Sequence, residues 1–509
     1  MFLVFGVAVR QNIAGEAPQK DKEPNSRNSA DHNHQYCIRV HDNCCKKFRH
    51  IFIVYYFYML GHDRAAKIAK WFSSWGFEPL LVGPIALFVL FIFFGFYDPE
   101  AIRALFIALI ALSPVWLPLF FLRYGWIMWI YYIRYQYWFS TKHVLLEVTL
   151  PPEVEKSPLA IEVVLSTMHN TGGEATFIAR IWKGNYRPVW SLEIASNEGR
   201  VSYYMHMRAS FRNVVEARIY GQFPEAKITE VEDYVSKVPF NLEDYNIWGV
   251  EYGKTQAGAI PIKTYPAFNL DKDTDTPEVT VDPISNILEF FSSIGKDEYL
   301  WLQFILKARK KDEYYGIYKK GDVFKEGGEA AIKKVIDDAV KRVSGGDAEV
   351  AKQLKTRGAS ILTEDEKEKI NAIERSMGKP IFEAGIRGMY LAKKERFNGA
   401  NISPLALLFG VFNTPDLNSI VPSNRGLAAF NYPWQDFQDI RKNRIKEELF
   451  FHYHHRAYFY VPYDQTAVFL NPEEVATLWH FPNSRVQPPG LERVAAKRAE
   501  APAGLPTGI

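Results

Sequence analysis

Cysteine is scarce in this sequence and is confined to its beginning. The chain has 509 residues and three cysteines, Cys37, Cys44 and Cys45. This excludes a disulfide-stapled fold and a cysteine nucleophile anywhere after residue 45. Histidines lie among these cysteines, but their spacing does not form the paired Cys-x2-Cys and His-x3-His units typical of zinc sites, so we predict no metal.

A large excess of charge of either sign is also missing. The chain has 61 basic and 58 acidic residues, a formal net charge of +3. The strongly basic surface that is the usual footprint of nucleic-acid binding is therefore not indicated. Hydrophobic residues make up 48% of the chain, which suffices for packed cores, and the length allows roughly two to four domains.

A complete catalytic or nucleotide-binding motif is absent from the sequence. The stretch WGVEYGKTQAG (248–258) contains Gly253-Lys254-Thr255, but a phosphate-binding loop needs a glycine where this chain has Trp248. The following AIPIKTYP predicts extended chain rather than the helix whose N-terminus would face the phosphates. We therefore predict that the chain is not an enzyme, with no catalytic residue, no cofactor and no ATP binding.

A histidine-rich stretch, FFHYHHRAYFYVP (450–462), is the remaining candidate for a metal site. On a strand, His452 and His454 would share one face. A third ligand is not placed nearby in sequence, so we interpret this stretch as an aromatic edge strand or an interface.

Two long uncharged runs predict membrane spans. Residues 79–97 and 104–122 each contain 19 residues and would measure about 28 Å as helices, close to the hydrocarbon thickness of about 30 Å. The connection between them is too short for a domain, which predicts a transmembrane hairpin; a pair of buried core helices is the alternative. The aromatic run from Tyr124 to Trp138 predicts an interfacial belt.

Basic residues flank this hairpin on both sides. The positive-inside rule therefore predicts a two-pass membrane protein with both termini in the cytoplasm. Residues 59–140 form the predicted membrane anchor, and Met59 is an alternative start of the protein. Residues 1–58 are an extension of uncertain role that we expect to be disordered, since residues 15–35 are polar. A signal peptide is not predicted, because no basic region precedes the apolar MFLVFGVAV.

Periodicity after residue 140 predicts an α+β fold of two tandem ferredoxin-like (βαββαβ) units. The first unit (141–265) has a helix opened by Ser157-Pro158, followed by a hairpin. The second unit (266–425) begins with a strand at 278–282, has helices opened by Asp282-Pro283 and Ser403-Pro404, and is interrupted by a charged helical insert at about 320–376. The alternative is chance agreement of a common helix-start pattern.

Five stretches carry a resemblance to a known family that extends over residues 140–509. They are LLEVTLPPEVEKSPLAIEVVLSTMHNTGGE, SLEIASNEGRVSYYMHMR, ARIYGQFPEAKITEVEDY, GAIPIKTYPAF and FLNPEEVATLWHFPNSRVQPPGLERVAAKRAEAPAGLP. This region resembles the membrane-anchored N-terminal region of bacterial conjugation-type (type IV secretion) ATPases of the HerA/FtsK-like class, in the form common among Patescibacteria. In that family the last stretch leads into an ATPase domain, whose ATP-binding residues have no counterpart here.

The resemblance implies a noncatalytic platform in the bacterial inner membrane that docks a motor ATPase of a DNA or protein translocation system. The alternative is an N-terminal fragment or subunit of an ATP-driven DNA translocase whose ATPase domain is encoded separately or lost. The expected partners are a HerA/FtsK-like or type IV secretion ATPase, membrane lipid and further copies of the chain. Direct nucleic-acid binding is not indicated.

The end of the chain divides into a strand and helix segment (426–482) and a linker-like tail (483–509). Asn471 and the proline after it predict the start of a short helix. One interpretation is that its apolar face packs on the second unit, with His480 bonded to a local carbonyl. The other is that this face docks the motor ATPase, which makes the predicted partner interface Val475, Leu478, Trp479, His480, Phe481 and Pro482.

Overall fold

The structure is a computed structural model. It describes Phe93, Phe96 and residues 98–151, 156–174, 176–271, 282–310, 313–315, 318–320, 322–345, 361–423, 436–460, 463–482, 488–491 and 493. The extension 1–58 and nearly all of the predicted first span, 79–97, lie outside the described residues. Contacts divide the chain into two compact units, Met1–Ala108 and Leu109–Ile509.

The described part of the first unit is Phe93, Phe96 and residues 98–108, and its regular structure belongs to a helix, α1 (Pro99–Ala111). The predicted span 104–122 is not one straight helix, because α1 ends at Ala111 and a second helix, α2, runs over Ser113–Ser140. Pro114 accounts for the break, since its ring would clash with the carbonyl of Ile110 in a continuous helix. Helix α2 then continues through the whole aromatic run.

The described residues include the whole predicted second span, 104–122. No single helix among the described residues is both long and apolar enough to cross a membrane. The pair Ile102–Ala111 and Ser113–Ser140, bent by 66°, meets the requirement together by length and composition.

The second unit is built on one antiparallel sheet that has nine strands within the described residues. The α+β class is therefore confirmed. The strands within the described residues are β1 His143–Thr149, β2 Val189–Asn197, β3 Arg200–Arg208, β4 Lys227–Val231, β5 Tyr245–Lys254, β6 Glu298–Ala308, β7 Glu313–Tyr315, β8 Tyr318–Lys320, β9 Phe382–Lys393, β10 Ile420–Pro422, β11 Phe459–Tyr460, β12 Tyr463–Asp464 and β13 Val468–Leu470.

The strand order of the sheet is β10-β5-β9-β6-β2-β3-β1-β4, with β13 added beside β9. Each half has the same arrangement: β2-β3-β1-β4 on one side and β6-β9-β5-β10 on the other. The halves join where β2 pairs with β6 over nine residues, from Val189 opposite Lys307 to Asn197 opposite Tyr299. Strands β7 and β8 form a separate hairpin, as do β11 and β12.

The strand that opens the second half is β5, which differs from the prediction. The sequence placed that strand at 278–282 and the unit boundary at 265/266, so β5 was assigned to the first unit. Residues 272–281 lie outside the described residues. Strand β5 escaped prediction because its glycines are typical of loops, whereas Gly249 here lets Leu449 approach the sheet: a Cβ would lie 2.4 Å from the Leu449 side chain.

Helices cover one face of the sheet and form the main core with it. The other α-helices in the described part of the chain are α3 Leu159–Met168, α4 Phe177–Ile181, α5 Arg212–Gln222, α6 Ile284–Ser292, α7 Val323–Ser344, α8 Glu364–Gly378, α9 Ile402–Ala406, α10 Ile440–His454 and α11 Pro472–Leu478. The helices predicted after Ser157-Pro158 and Asp282-Pro283 are present as α3 and α6, and each buries an apolar face. Helix α9 is only five residues long.

The opposite face of the sheet is covered in part by α10. Residues 450–454 were predicted as a strand and are instead the end of this helix, so the prediction is wrong there. The charged run before them explains the helix, because Arg444 and Glu448 pair at i,i+4. The predicted charged insert contains α7 and α8, which an ion pair between Arg342 and Glu366 links at 2.7 Å.

Candidate functional site

The residues predicted to dock a partner lie inside the chain. Helix α11 starts as predicted: the Asn471 side chain accepts from the Glu474 N–H, and the Glu474 carboxylate accepts from the Asn471 N–H. The helix packs against α3, so the expectation of an exposed docking face is wrong and the internal-packing interpretation holds, on α3 of the first half. Buried positions include Val475, Leu478, Trp479, His480, Phe481 and Pro482.

Two of these side chains make polar contacts in the interior. The Trp479 indole N–H points at the Glu193 carbonyl at 3.4 Å, and its ring packs against Tyr203 and Phe481. His480 Nδ1 lies 2.9 Å from the Ala476 carbonyl, which is the local contact that the sequence predicted. Its Nε2 lies 3.1 Å from Asp282 Oδ1, a contact that the sequence did not indicate.

The phosphate-loop lookalike contributes a buried ion pair to this helix. Lys254, at the end of β5, has a side chain that is 3% exposed and places Nζ 2.6 Å from Glu474 Oε1, which is fully buried. Its ammonium also donates to the carbonyls of Gly258 and Ile260. Burial lowers the pKa of Lys254, and the Glu474 carboxylate opposes that shift. The lysine therefore clamps α11 to β5 and has no room for a phosphate.

A row of polar side chains crosses the α10 face of the sheet. Glu193 on β2 lies opposite Gln303 on β6, which lies opposite Arg387 on β9. Gln303 donates to Glu193 at 2.8 Å and accepts from Arg387 at 2.7 Å. The row continues to Glu251 on β5, opposite Arg387, where the Tyr463 hydroxyl donates to its carboxylate at 2.5 Å.

Arg456 closes this row with a second ion pair. Its guanidinium donates to both oxygens of Glu193, at 3.0 and 3.1 Å, and to Asp233. The Tyr234 hydroxyl adds a bond to Glu193 at 2.8 Å. Burial would raise the pKa of Asp233, but the Arg456 charge more than offsets it and holds that pKa below its usual value. The contacts join the residues after α10 to the centre of the sheet.

Neutral histidines lie near these arginines. His143 and His206 stack with ring centroids 5.1 Å apart. Burial, helped by the charge of Arg208, lowers the pKa of His143 to about 4. Burial and His455 lower the pKa of His454 to about 4. Within the described residues, no group of three metal-ligating side chains could hold an ion.

The two most prominent cavities of the described part of the chain are small. One, of about 20 Å³, is lined by Glu251, Arg387, His452 and Tyr463 among others, which is room for about one water molecule. The other, of about 110 Å³, lies between α3 and α5. Small-molecule sites usually measure roughly 300–1,000 Å³, so neither cavity fits a nucleotide.

Helix α2 carries a run of exposed large apolar side chains. Its N-terminal two-thirds expose large apolar side chains around the whole helix, at Val115, Trp116, Leu117, Leu119, Phe120, Phe121, Leu122, Trp126 and Met128. Its C-terminal third packs on the sheet unit, where Ile133 and Trp138 are buried. Trp138 stacks on Tyr186, and Arg208 lies over the same Tyr186 ring, 4.4 Å from its centroid. One helix therefore joins a largely apolar surface, which Arg123 interrupts, to the sheet.

Comparison with known proteins adds no family assignment: no family model matches this chain, and no curated protein matches it.

The ion pairs described above were missed by sequence reasoning, because their partners are far apart in the chain. A motif at fixed spacing could not reveal Lys254 with Glu474 or Glu193 with Arg456.

Proposed function

We propose that this protein is a noncatalytic, membrane-anchored cytoplasmic platform of a conjugative or type IV secretion-like DNA or protein translocation system, and that it docks a motor ATPase. The anchor is a two-pass hairpin in the bacterial inner membrane, with both termini in the cytoplasm. The observation that carries the proposal is α2, which exposes apolar side chains all round at one end and is packed into the sheet unit at the other.

The chemistry of α2 supports the membrane anchor. Within the described residues α2 does not meet the length and apolarity of a membrane span alone, but together with the preceding Ile102–Ala111 it does. A helix that is apolar on all sides needs an apolar environment on all sides. The sheet unit covers only the C-terminal third, so lipid is the surrounding that suits the rest.

The junction between α2 and the sheet supports a platform rather than a flexibly tethered domain. The residues Thr141 and Lys142 separate α2 from β1, so the linker is short. Tyr137 and Trp138 both pack on Tyr186, which seats the helix end against the loop before β2. A force applied to the sheet unit would therefore reach the membrane helix directly.

The strand order supports two ferredoxin-like units. In each half the second and third strands pair, the first strand follows the third, and the fourth closes the edge. Such a strand order is expected of the βαββαβ motif, which is the ferredoxin-like split βαβ arrangement. The pairing of β2 with β6 joins the two halves in one continuous sheet.

The buried charges support a noncatalytic role. Lys254 and Arg456 are held in ion pairs whose partners are themselves buried or half-buried. Catalytic groups must be reachable by substrate. These pairs instead connect distant parts of the chain, as expected of a scaffold; the motor ATPase as partner rests on the family resemblance.

Reporter fusions test the topology. A reporter fused after Lys142 should be active in the cytoplasm, and one inserted at 98–103 should be active outside. The opposite pattern, or cytoplasmic activity at both sites, would overturn the hairpin and the placement of the sheet unit.

Vesicle flotation tests the platform. The full chain is reconstituted in phospholipid vesicles and mixed with the HerA/FtsK-like ATPase encoded in the same genome. The ATPase should float with vesicles that carry the chain and stay behind with empty vesicles, and vesicles with the chain alone should not hydrolyse ATP. Hydrolysis by the chain alone, or equal flotation with empty vesicles, would contradict the proposal.

A further inference from the structure

A short segment beside α2 exposes apolar side chains of its own. Helix α4 (Phe177–Ile181) has no buried residue. Phe177 is 52% exposed, Ile178 59% and, just after the helix, Trp182 60%. Three large apolar side chains at such exposure on so short a segment form a surface that water does not favour.

This segment is attached to α2 by a hydrogen bond and a ring contact, and its short helix is capped. Thr176 caps the helix by accepting from the Ala179 N–H. The Trp129 indole of α2 donates to the Ile181 carbonyl at 2.8 Å, and the Trp129 and Trp182 rings lie 5.6 Å apart.

Gly184 completes the attachment to α2. Its φ is +67°, and a Cβ there would lie 2.3 Å from the Ile133 carbonyl oxygen. Only glycine allows both this left-handed conformation and so close an approach of the two backbones. This close approach therefore fixes the position of the segment along the axis of α2.

We propose that residues 176–183 form a second membrane contact, in which Phe177, Ile178 and Trp182 insert into the headgroup region of the same leaflet that α2 leaves. This inference rests on the proposed function, since it requires α2 to lie in the bilayer. The segment would act as a foot that sets the tilt and rotation of the sheet unit on the membrane surface.

The position and the composition of the foot both favour lipid as the occupant. The foot is hydrogen-bonded to Trp129, seven residues after Leu122 on α2. Trp126 and Tyr132 lie on either side of Trp129 in sequence, in the predicted aromatic belt that is typical of membrane–water boundaries. Its exposed Trp182 lies beside Trp129 of α2, with the ring centroids 5.6 Å apart, so the two elements adjoin. Arg180 and Lys183 lie within it, and basic residues beside Trp and Phe are typical of segments that lie in the interface of anionic membranes.

Depth measurements by spin labelling test the foot. The full chain, with Cys37, Cys44 and Cys45 replaced by serine, is placed in nanodiscs of phosphatidylethanolamine and phosphatidylglycerol. Single labels are attached through Leu119→Cys on α2, Ile178→Cys on the foot and Leu407→Cys, which is 71% exposed on the sheet unit. The accessibility of each label to oxygen and to a water-soluble nickel complex is then compared.

The ratio of oxygen to nickel accessibility should be highest at position 119 and lowest at position 407. The ratio at position 178 should lie between these two values. A ratio at 178 equal to that at 407, with a high ratio at 119, would overturn the foot and leave the membrane anchor standing. A low ratio at 119 would overturn the proposed function itself. Dipolar broadening between labels at 178 would show contact between copies instead of lipid and would also overturn the foot.

Discussion

Replacing Lys254 by methionine isolates the clamp between β5 and α11. The substitution keeps an unbranched chain of similar length, so the packing of the stem is largely retained. The substitution removes the positively charged ammonium group, whose Nζ lies 2.6 Å from Glu474 Oε1. That group also donates hydrogen bonds to the carbonyls of Gly258 and Ile260.

The size of the effect follows from burial. The Glu474 side chain is 0% exposed, so in the variant its carboxylate remains in the interior with the N–H groups of Ile262 and Asn471 but without a counter-charge. Removing one partner of a buried ion pair costs about 3–5 kcal/mol. We therefore expect Lys254→Met to lower the free energy of unfolding by about that amount.

Urea unfolding of the full chain in detergent micelles, followed by tryptophan fluorescence, measures this change. Lys325→Met is the matched control, because Lys325 is 67% exposed and lies 3.7 Å from Glu329 one turn away; it should cost no more than about 0.5 kcal/mol. A loss below about 1 kcal/mol for Lys254→Met would refute the clamp. ATP binding that disappears with Lys254→Met would refute it as well, because it would make the lysine a phosphate ligand.

Three further substitutions or conditions test other parts of the structure. Trp479→Ala should lower the free energy of unfolding by about 3–5 kcal/mol, because the ring is 1% exposed; wild-type stability in urea would contradict its place in the core. Gly184→Ala should destabilise by about 1–3 kcal/mol, whereas Gly221→Ala, where a Cβ meets nothing within 4 Å, should be neutral or stabilising; equal effects of the two would count against the close approach of residue 184 to α2. The stability should fall as the pH falls from about 6.5 toward 4, because His143 and His454, with pKa values lowered to about 4, take up protons in the unfolded chain before they do in the folded one. The double variant His143→Gln/His454→Gln should flatten that slope in unfolding curves recorded across this pH range, and an unchanged slope would contradict the shifts.

Local sequence patterns predicted several of the helices that cover one face of the sheet. Ser157-Pro158 and Asp282-Pro283 mark the starts of α3 and α6, where the proline precedes the first helical residue and Ser157 and Asp282 accept from the N–H groups of Leu159 and Ile284. Such patterns act between neighbours in sequence. Asn471 marks α11 for the same reason. Features of this kind depend on neighbours in sequence, and the sequence alone carries them.

The remaining elements depend on contacts between distant residues. Gly249 and Gly253 make β5 resemble a loop, and the strand is stable only because β9 and β10 pair with it on either side. The apolar face at Val475 to Phe481 was equally suited to a partner or to the core, and the position of α3 decides between them. Lys254 and Glu474 are 220 residues apart, so sequence spacing could not pair them.

Lipid photo-crosslinking at position 119 tests the membrane anchor most directly. A photoreactive amino acid replaces Leu119, which is 66% exposed on α2, and in a second variant it replaces Leu407, which is 71% exposed on the sheet unit. After illumination of native membranes that contain the full chain, mass spectrometry should find phospholipid adducts at position 119 and none at 407. Equal labelling at both positions, or adducts at 119 with protein alone, would contradict the anchor.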